Sequence, residues 1–316
     1  MRFKKLSSLL IIFPLLSCSH NQNHESRVFC FDTYVNISLK SEVTTDIKNI
    51  ENILSTYDKL SDNYLNRDVK NVYTINNNLY TDIEVNEELY DLLKTSYDVS
   101  EELTYFNYLC GSLSKKWKES LKEEKVLSND VIEEELFKMN NTQLLFKDNN
   151  VIQKIGDAEI DLGGIAKGYA LDKVNEYLLD KGLKNYLIDA GSSSILLGEK
   201  ESNDGLFSVG LTIDNAFIKA KNCFISTSAK SRQGVKIGDI TYSHIINPLN
   251  GSAINENDTV IVISDKGYLG DALSTSLMMN SVEEIRAIET ALNVKTIVIK
   301  NEQIIYSHQD IEVLYH

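Results

Sequence analysis

Residues 161–172 read DLGGIAKGYALD: a carboxylate, two adjacent glycines, a lysine and a third glycine, leading straight into an apolar run. Glycines let a backbone turn tightly and let another molecule approach closely. The first turn of a helix presents unpaired N–H groups at the positive end of its dipole, so a glycine turn entering a helix beside Lys167 suits an anion. Ala170, Leu171, Val174 and Leu178 fall on one face at helical spacing, which predicts that helix directly after the glycines. The standard phosphate fingerprints do not apply. A P-loop needs Lys and then Ser or Thr after its second glycine, whereas Tyr169 follows Gly168, and G-x-G-x-x-G does not fit either. Taken by itself the stretch reads equally as a strand-to-helix turn with Asp161 and Lys167 in solvent.

Upstream, Val43, Ile47, Ile50, Ile53, Leu54 and Tyr57 recur at three and four residues and predict a helix over 41–60; Leu89, Leu92, Leu93, Tyr97 and Val99 predict a second over 86–103. The Asn- and Asp-rich tract between them reads as loop with one short strand. Residues 118–141 are charged and locally helical, with Val131, Ile132, Leu136 and Phe137 as a narrow apolar stripe. From Leu144 onward the texture changes to short β-type runs: QLLF, VIQKI, YLIDA, SILLG, LFSVGLTI, YSHII, TVIVIS, KTIVIK and QIIYS. The helix after the glycines and another over 268–292 interrupt them without regular βαβ alternation, so the predicted class is α+β, with mixed sheets and packed helices.

The 316 residues are 42% hydrophobic and 25% charged, an ordinary globular composition. The net charge of −14 becomes more negative still once the first 17 residues, which hold Arg2, Lys4 and Lys5 and no acids, are set aside. Such a body repels phosphate backbones, so no nucleic-acid partner is expected. That N-terminus, a basic start and a short apolar run, fits an export signal rather than a spanning helix. Leu15-Leu16-Ser17-Cys18 resembles the bacterial lipoprotein box, in which the cysteine is lipidated and becomes the first residue; a plain secretory signal is the alternative. The resulting division is a signal peptide over 1–17, a polar tether over 18–27 and one domain over 28–316. Cys30, Cys110 and Cys223 are an odd number at wide spacing, which disfavours a cysteine zinc site and reads best as small buried thiols.

Two further stretches carry chemistry. In YLGDALSTSLMM, residues 268–279, Asp271 and Thr275 lie four apart and share a helix face, offering a carboxylate and a hydroxyl to a hard cation such as Mg²⁺ or Mn²⁺. The same pair also reads as a helix-dipole partner beside packed hydroxyls. In YSHIINPLNG, residues 242–251, His244 ends a strand-like run before a turn marked by Pro248, where its near-neutral pKa allows proton transfer.

In this order, DLGGIAKGYALD, SHIINPLNG and GDALSTSLMM resemble the ApbE-like family of bacterial FAD:protein FMN transferases, and the lipoprotein-like N-terminus agrees. ILSTYDKLSDNYLN resembles the family's early helix end and loop, and ISTSAKS its internal TSG segment. The resemblance implies a T-fold-related α+β architecture with a flavin site in a cleft between subdomains. It implies Mg²⁺ held by the main-chain carbonyl of Gly164 with Asp271 and Thr275, Ser274 close by. Flavin-nucleotide contacts would fall to Phe31, Tyr57, Asp161, Lys167 and Ile246, and at altered positions to Tyr105, Phe106 and Asn107. His244 and Asp271 would be catalytic. The implied reaction is Mg²⁺-dependent transfer of FMN from FAD to a threonine or serine hydroxyl of an acceptor protein with release of AMP. FAD pyrophosphatase activity or flavin binding without catalysis are the alternatives. A lipid on Cys18 would anchor the protein to a membrane of the cell envelope, on its extracytoplasmic side.

The chain departs from the family pattern in places. Phe31-Asp32-Thr33 stands where Met-Gly-Thr is usual, and TYFNYL (104–109) where G-x-F-D-P-T is usual, so Asn107 replaces a carboxylate with an amide. IDAGSSS (188–194) lacks the usual second glycine and following Asp, and TSA (227–229) lacks the glycine of TSG.

Overall fold

The computed structural model describes residues 22–41, 43–230, 234–253 and 256–315. The described chain begins with a hairpin of β1 (Gln22–Cys30) and β2 (Thr33–Ser41), turned by Phe31 and Asp32, both in the left-handed region. There follow α1 (Thr45–Ser61), α2 (Val72–Asn76), β3 (Ile83–Glu84), α3 (Glu87–Glu102), α4 (Gly111–Lys122), α5 (Asn129–Asn140), β4 (Gln143–Lys147) and β5 (Val151–Ile155). The second half runs α6 (Ala166–Asp180), β6 (Tyr186–Ala190), β7 (Ser194–Leu197), β8 (Phe207–Gly210), β9 (Ala216–Ala220), β10 (Cys223–Ala229), β11 (Val235–Ile237) and β12 (Ile240–Tyr242). It ends with β13 (Thr259–Ser264), α7 (Gly267–Ser276), α8 (Val282–Leu292), β14 (Lys295–Lys300), β15 (Gln303–Ser307) and β16 (Val313–Tyr315).

Eight strands form the central sheet in the order β1-β2-β6-β7-β10-β13-β14-β15, and smaller sheets are built from β16-β9-β8, β3-β5-β4 and β11-β12. Every pairing among the described strands is antiparallel, so the class is α+β and the expected mixed sheets are antiparallel ones. Both faces of the sheet's centre are covered. On one side Val260 and Val262 of β13 join Val35, Ile188 and Phe224 in a core shared with α1, α6, α7 and α8; on the other Ile261 meets Ile225, Ile297, Val209 and Ile218, the last two from the three-stranded sheet. Burial on both faces explains why the four central residues of β13, Val260 to Ile263, are all apolar rather than alternating.

Several expectations are corrected. Residues 22–27, assigned to the tether, form the start of β1; residues 1–21, with the signal peptide and Cys18, lie outside the described residues. The tract between the first two long helices holds α2, closed by a reciprocal Asn71–Thr74 capping box, as well as the short β3. The helical region 118–141 is two helices, α4 and α5. On α5 the buried residues are Glu135 and Met139, while Phe137 is 68% exposed. The Glu135 carboxylate tolerates that position because Ser112 and Lys138 donate to it. The helix expected over 268–292 ends at Ser276, and α8 restarts on a Ser281–Glu284 capping box. In YSHII only Tyr242 belongs to a strand, because β12 ends there.

Candidate active site

The glycine turn enters α6 as the sequence predicts. The Gly163 amide donates to Asp161 Oδ1 over 2.8 Å, and the Asp161 amide donates to the Tyr108 carbonyl over 2.8 Å, which ties the turn to the loop between α3 and α4. That loop carries Tyr105, Phe106 and Asn107. The Asn107 side-chain oxygen accepts from the Leu109 amide at 2.8 Å, so one of its two acceptor positions is used within its own loop. A side chain on Gly164 would press on Phe106, its Cβ 3.3 Å from the ring, and would lie 3.6 Å from Thr275 Oγ1. Only glycine leaves that gap open.

α7 lies on the sheet with its N-terminal turn against α6. Gly270 permits this: a Cβ there would sit 2.7 Å from Ser264 Oγ and 2.9 Å from Ser226 Oγ. Asp271, 6% exposed, is surrounded by donors. Its Oδ1 accepts from Ser194 and Ser226 at 2.7 Å each, and its Oδ2 accepts from the Gly168 amide at 2.7 Å. Burial pushes its carboxyl above the usual carboxylate range, opposed by the nearby Lys167 ammonium and by these hydrogen bonds. Next to it, Ser228 Oγ stands 3.0 Å from Ser274 Oγ and 3.2 Å from Thr275 Oγ1, forming a patch of hydroxyls.

These pieces converge on one cavity of about 360 Å³. Of the residues singled out from sequence, Phe31, Tyr105, Phe106, Asn107, Asp161, Gly164, Lys167, His244, Ile246, Asp271 and Thr275 all line it. Tyr57 does not. It is 5% exposed and packs edge-on against Tyr169 at 5.4 Å in the core between α1 and α6. Its neighbour Asp58 instead accepts from the Phe31 amide over 2.6 Å and lines a second cavity of about 420 Å³, which shares Phe31, Asp161, Lys118 and Lys167 with the first. Residues the sequence reading missed are Ser194, Ser226 and Ser228. For Ser226 and Ser228 the available signal was a run of three hydroxyl residues in an otherwise apolar, largely buried strand, β10; Ser194, at the start of β7, gave no such signal.

The donors suit a hard divalent cation. The carboxylate, hydroxyls and carbonyl are all oxygen, and Oδ2 of Asp271 accepts one bond where a carboxylate oxygen can take two. Among the described residues no cluster of three His, Cys, Asp or Glu side chains forms a metal cage. A single-carboxylate site is what Mg²⁺ uses when substrate phosphates complete its shell.

A sheet-and-helix body of this topology, with a glycine turn and a carboxylate–hydroxyl helix facing one cavity, defines an α+β protein with an oxygen-lined cleft. Residues 31–298 match the model of the ApbE family, and the chain belongs to that family. It is 29% identical over 165 residues to the FAD:protein FMN transferase of Vibrio cholerae serotype O1, covering 49% of this chain and 49% of that protein. It is 24% identical over 225 residues to the FAD:protein FMN transferase of Treponema pallidum, covering 64% and 62%. The chain spans about half the length of the curated relatives it matches. In fold it is similar to the ApbE protein of Thermotoga maritima (TM-score 0.77, 24% identity, 92% of this chain and 96% of that one). It is also similar to the flavin transferase ApbE of Vibrio cholerae (TM-score 0.72, 18% identity, 92% and 98%).

Proposed function

We propose that this protein transfers FMN from FAD to a threonine or serine hydroxyl of an acceptor protein, releasing AMP. The observation that carries the reading is the convergence of Gly164, Lys167, His244, Asp271 and Thr275 on one cavity. The acceptor oxygen forms a bond to the FMN phosphorus of the FAD diphosphate, the bond from that phosphorus to the bridging oxygen breaks, and AMP departs with the electron pair. In this reading His244, part of the cavity wall, takes the proton of the attacking hydroxyl. The Lys167 ammonium holds the negative diphosphate, and Phe31, Tyr105 and Phe106 offer flat rings to the flavin and keep water back.

Gly164, through its carbonyl, and the side chains of Asp271 and Thr275 would hold Mg²⁺. When bound, that ion neutralises diphosphate charge and stabilises the negative charge gathering on the leaving AMP. A lipid on Cys18, placing the domain outside the cytoplasmic membrane, completes the proposal; a Cys18→Ala chain recovered in the soluble rather than the membrane fraction is its test.

The experiment is incubation of the protein with FAD, Mg²⁺ and an acceptor protein carrying an exposed Thr or Ser, read by mass spectrometry. An acceptor heavier by FMN less one water, with AMP in equal amount, is expected. AMP and free FMN without a labelled acceptor would replace the proposal with FAD hydrolysis, and bound FAD without AMP would replace it with flavin binding alone.

A further inference from the structure

Asp172, the carboxylate that ends the stretch 161–172, is absent from the lining of both cavities. It is 9% exposed, and its two oxygens point into the neighbouring helix: Oδ1 accepts the Gly267 amide and Oδ2 the Tyr268 amide, each over 2.8 Å. These are the first two residues of α7, whose own N-cap, Lys266, supplies no side-chain cap. A helix N-terminus leaves such amides without partners in its own backbone, and Asp172 supplies them from α6.

One turn away the arrangement is reversed. Gly168, four residues before Asp172, donates its amide to Asp271, four residues after Gly267. Each helix therefore gives backbone amides to a carboxylate of the other. Between the two sets of bonds the backbones of Gly168 and Gly267 touch, with room for no Cβ on either. The clasp fixes the depth and rotation of α7 against α6. With Ser194 and Ser226 filling Oδ1 and Gly168 taking one position on Oδ2, a single acceptor position of Asp271 remains.

We propose that Asp172 is a positioning residue: by pinning the first turn of α7 to α6 it aims the remaining acceptor position of Asp271 and the Thr275 hydroxyl at the cavity, and so sets the site's affinity for a divalent cation. This rests on reading Asp271 as a metal ligand. Asn in place of Asp172 keeps the shape but turns an NH₂ toward one of two amides that both need an acceptor.

The test uses Mn²⁺ as the probe, its binding followed by electron paramagnetic resonance in the full chain with and without FAD, alongside thermal melting. D172N and D172A are expected to bind Mn²⁺ about tenfold more weakly, with turnover falling at subsaturating metal and recovering as metal is raised, while the KM for FAD at saturating metal stays put. Unchanged Mn²⁺ affinity with only a lowered melting temperature would reduce Asp172 to a structural cap and overturn the proposal. Loss of folding in both variants would likewise make it a determinant of the fold and overturn the positioning role. Wild-type protein that binds no Mn²⁺ even with FAD would remove the metal reading of Asp271 itself, an outcome separable from the first.

Discussion

The indole Nε1 of Trp117 donates a 2.8 Å hydrogen bond to the carbonyl of Gly251. Trp117 is 2% exposed and stacks on Tyr242 with ring centroids 5.7 Å apart. Through these two contacts α4 holds both ends of the loop that carries His244 and Ile246 into the cavity. Trp117→Phe keeps the aromatic packing but strands the Gly251 carbonyl, which is expected to lower stability by about 2 kcal/mol. FAD binding should weaken while Mn²⁺ binding holds, because the residues assigned to the metal sit on the glycine turn before α6 and on α7. Urea denaturation and the two binding measurements check this; equal weakening of both ligands would show that the loop is not held separately.

Gly168→Ala tests the backbone contact between α6 and α7. The added Cβ would overlap the Gly267 carbonyl and lie 2.9 Å from Asp271 Cγ. Neither atom belongs to a flexible side-chain end, so the helices must part, at about 3 kcal/mol. Gly210→Ala is the matched control, since nothing lies within 4 Å of its added methyl. Its stability is expected to stay within about 0.5 kcal/mol of wild type. Denaturation curves for the pair decide the point.

Much of this arrangement was legible in the sequence where local spacing carries it. α1, α3 and α6 follow from apolar residues three and four apart, and the glycine turn leads to the cavity as read. What was not legible depends on partners distant in sequence. β10 is a central strand, but its Ser226 and Ser228 break the apolar run because they face a buried carboxylate and hydroxyls on α7. The β1–β2 hairpin lacks the usual Asn-Gly or Asp-Gly turn, using Phe31 and Asp32 at positive φ instead. Tyr57 sits beside Asp58, which lines the adjoining second cavity, yet on a helix consecutive side chains point about 100° apart, so Asp58 reaches the hairpin tip and Tyr57 the core.

Replacing Asp271 by Ala is expected to reduce metal-dependent AMP release at least about hundredfold, given that even outer partners of metal ligands cost 10- to 100-fold. His244→Ala should also slow transfer but leave Mn²⁺ binding intact, since the histidine is assigned to the proton and not to the ion. Parallel AMP assays and Mn²⁺ titrations separate the two. Near-wild-type AMP release from the Asp271 variant would contradict its role.

The three thiols should be inert in the folded protein. Among the described residues Cys30, Cys110 and Cys223 are unbonded, and burial pushes each thiol up to about 12, with Asp58, Asp161 and Asp265 respectively adding to the rise. Since the thiolate is the reactive form, iodoacetamide at neutral pH is expected to label none of them within minutes and all three on unfolding. Cys110 lines the cavity, so rapid labelling there that FAD suppresses would show that its burial is transient.

The pH dependence of stability should carry the mark of the clasp. Burial pushes Asp172 up to about 6 from 3.8, against the Gly267 and Tyr268 amides and Lys266, with Asp271 reinforcing the rise. The phenols of Tyr169 and Tyr268, raised chiefly by their own burial and further by Asp172, are the other titratable groups beside it. A carboxyl whose pKa is higher in the folded than in the unfolded chain holds its proton more tightly when folded. Its favourable contribution is therefore complete below about pH 4 and disappears as pH rises through about 6, a change of about 3 kcal/mol. D172N has no such proton to lose. Subtracting its stability from that of wild type removes the background of the other acids, and the difference is expected to fall by about 2–3 kcal/mol from pH 4 to pH 7 in guanidinium titrations. Parallel curves across that range would mean that Asp172 titrates in the folded protein as it does in the unfolded chain, and that α7 does not bury its charge.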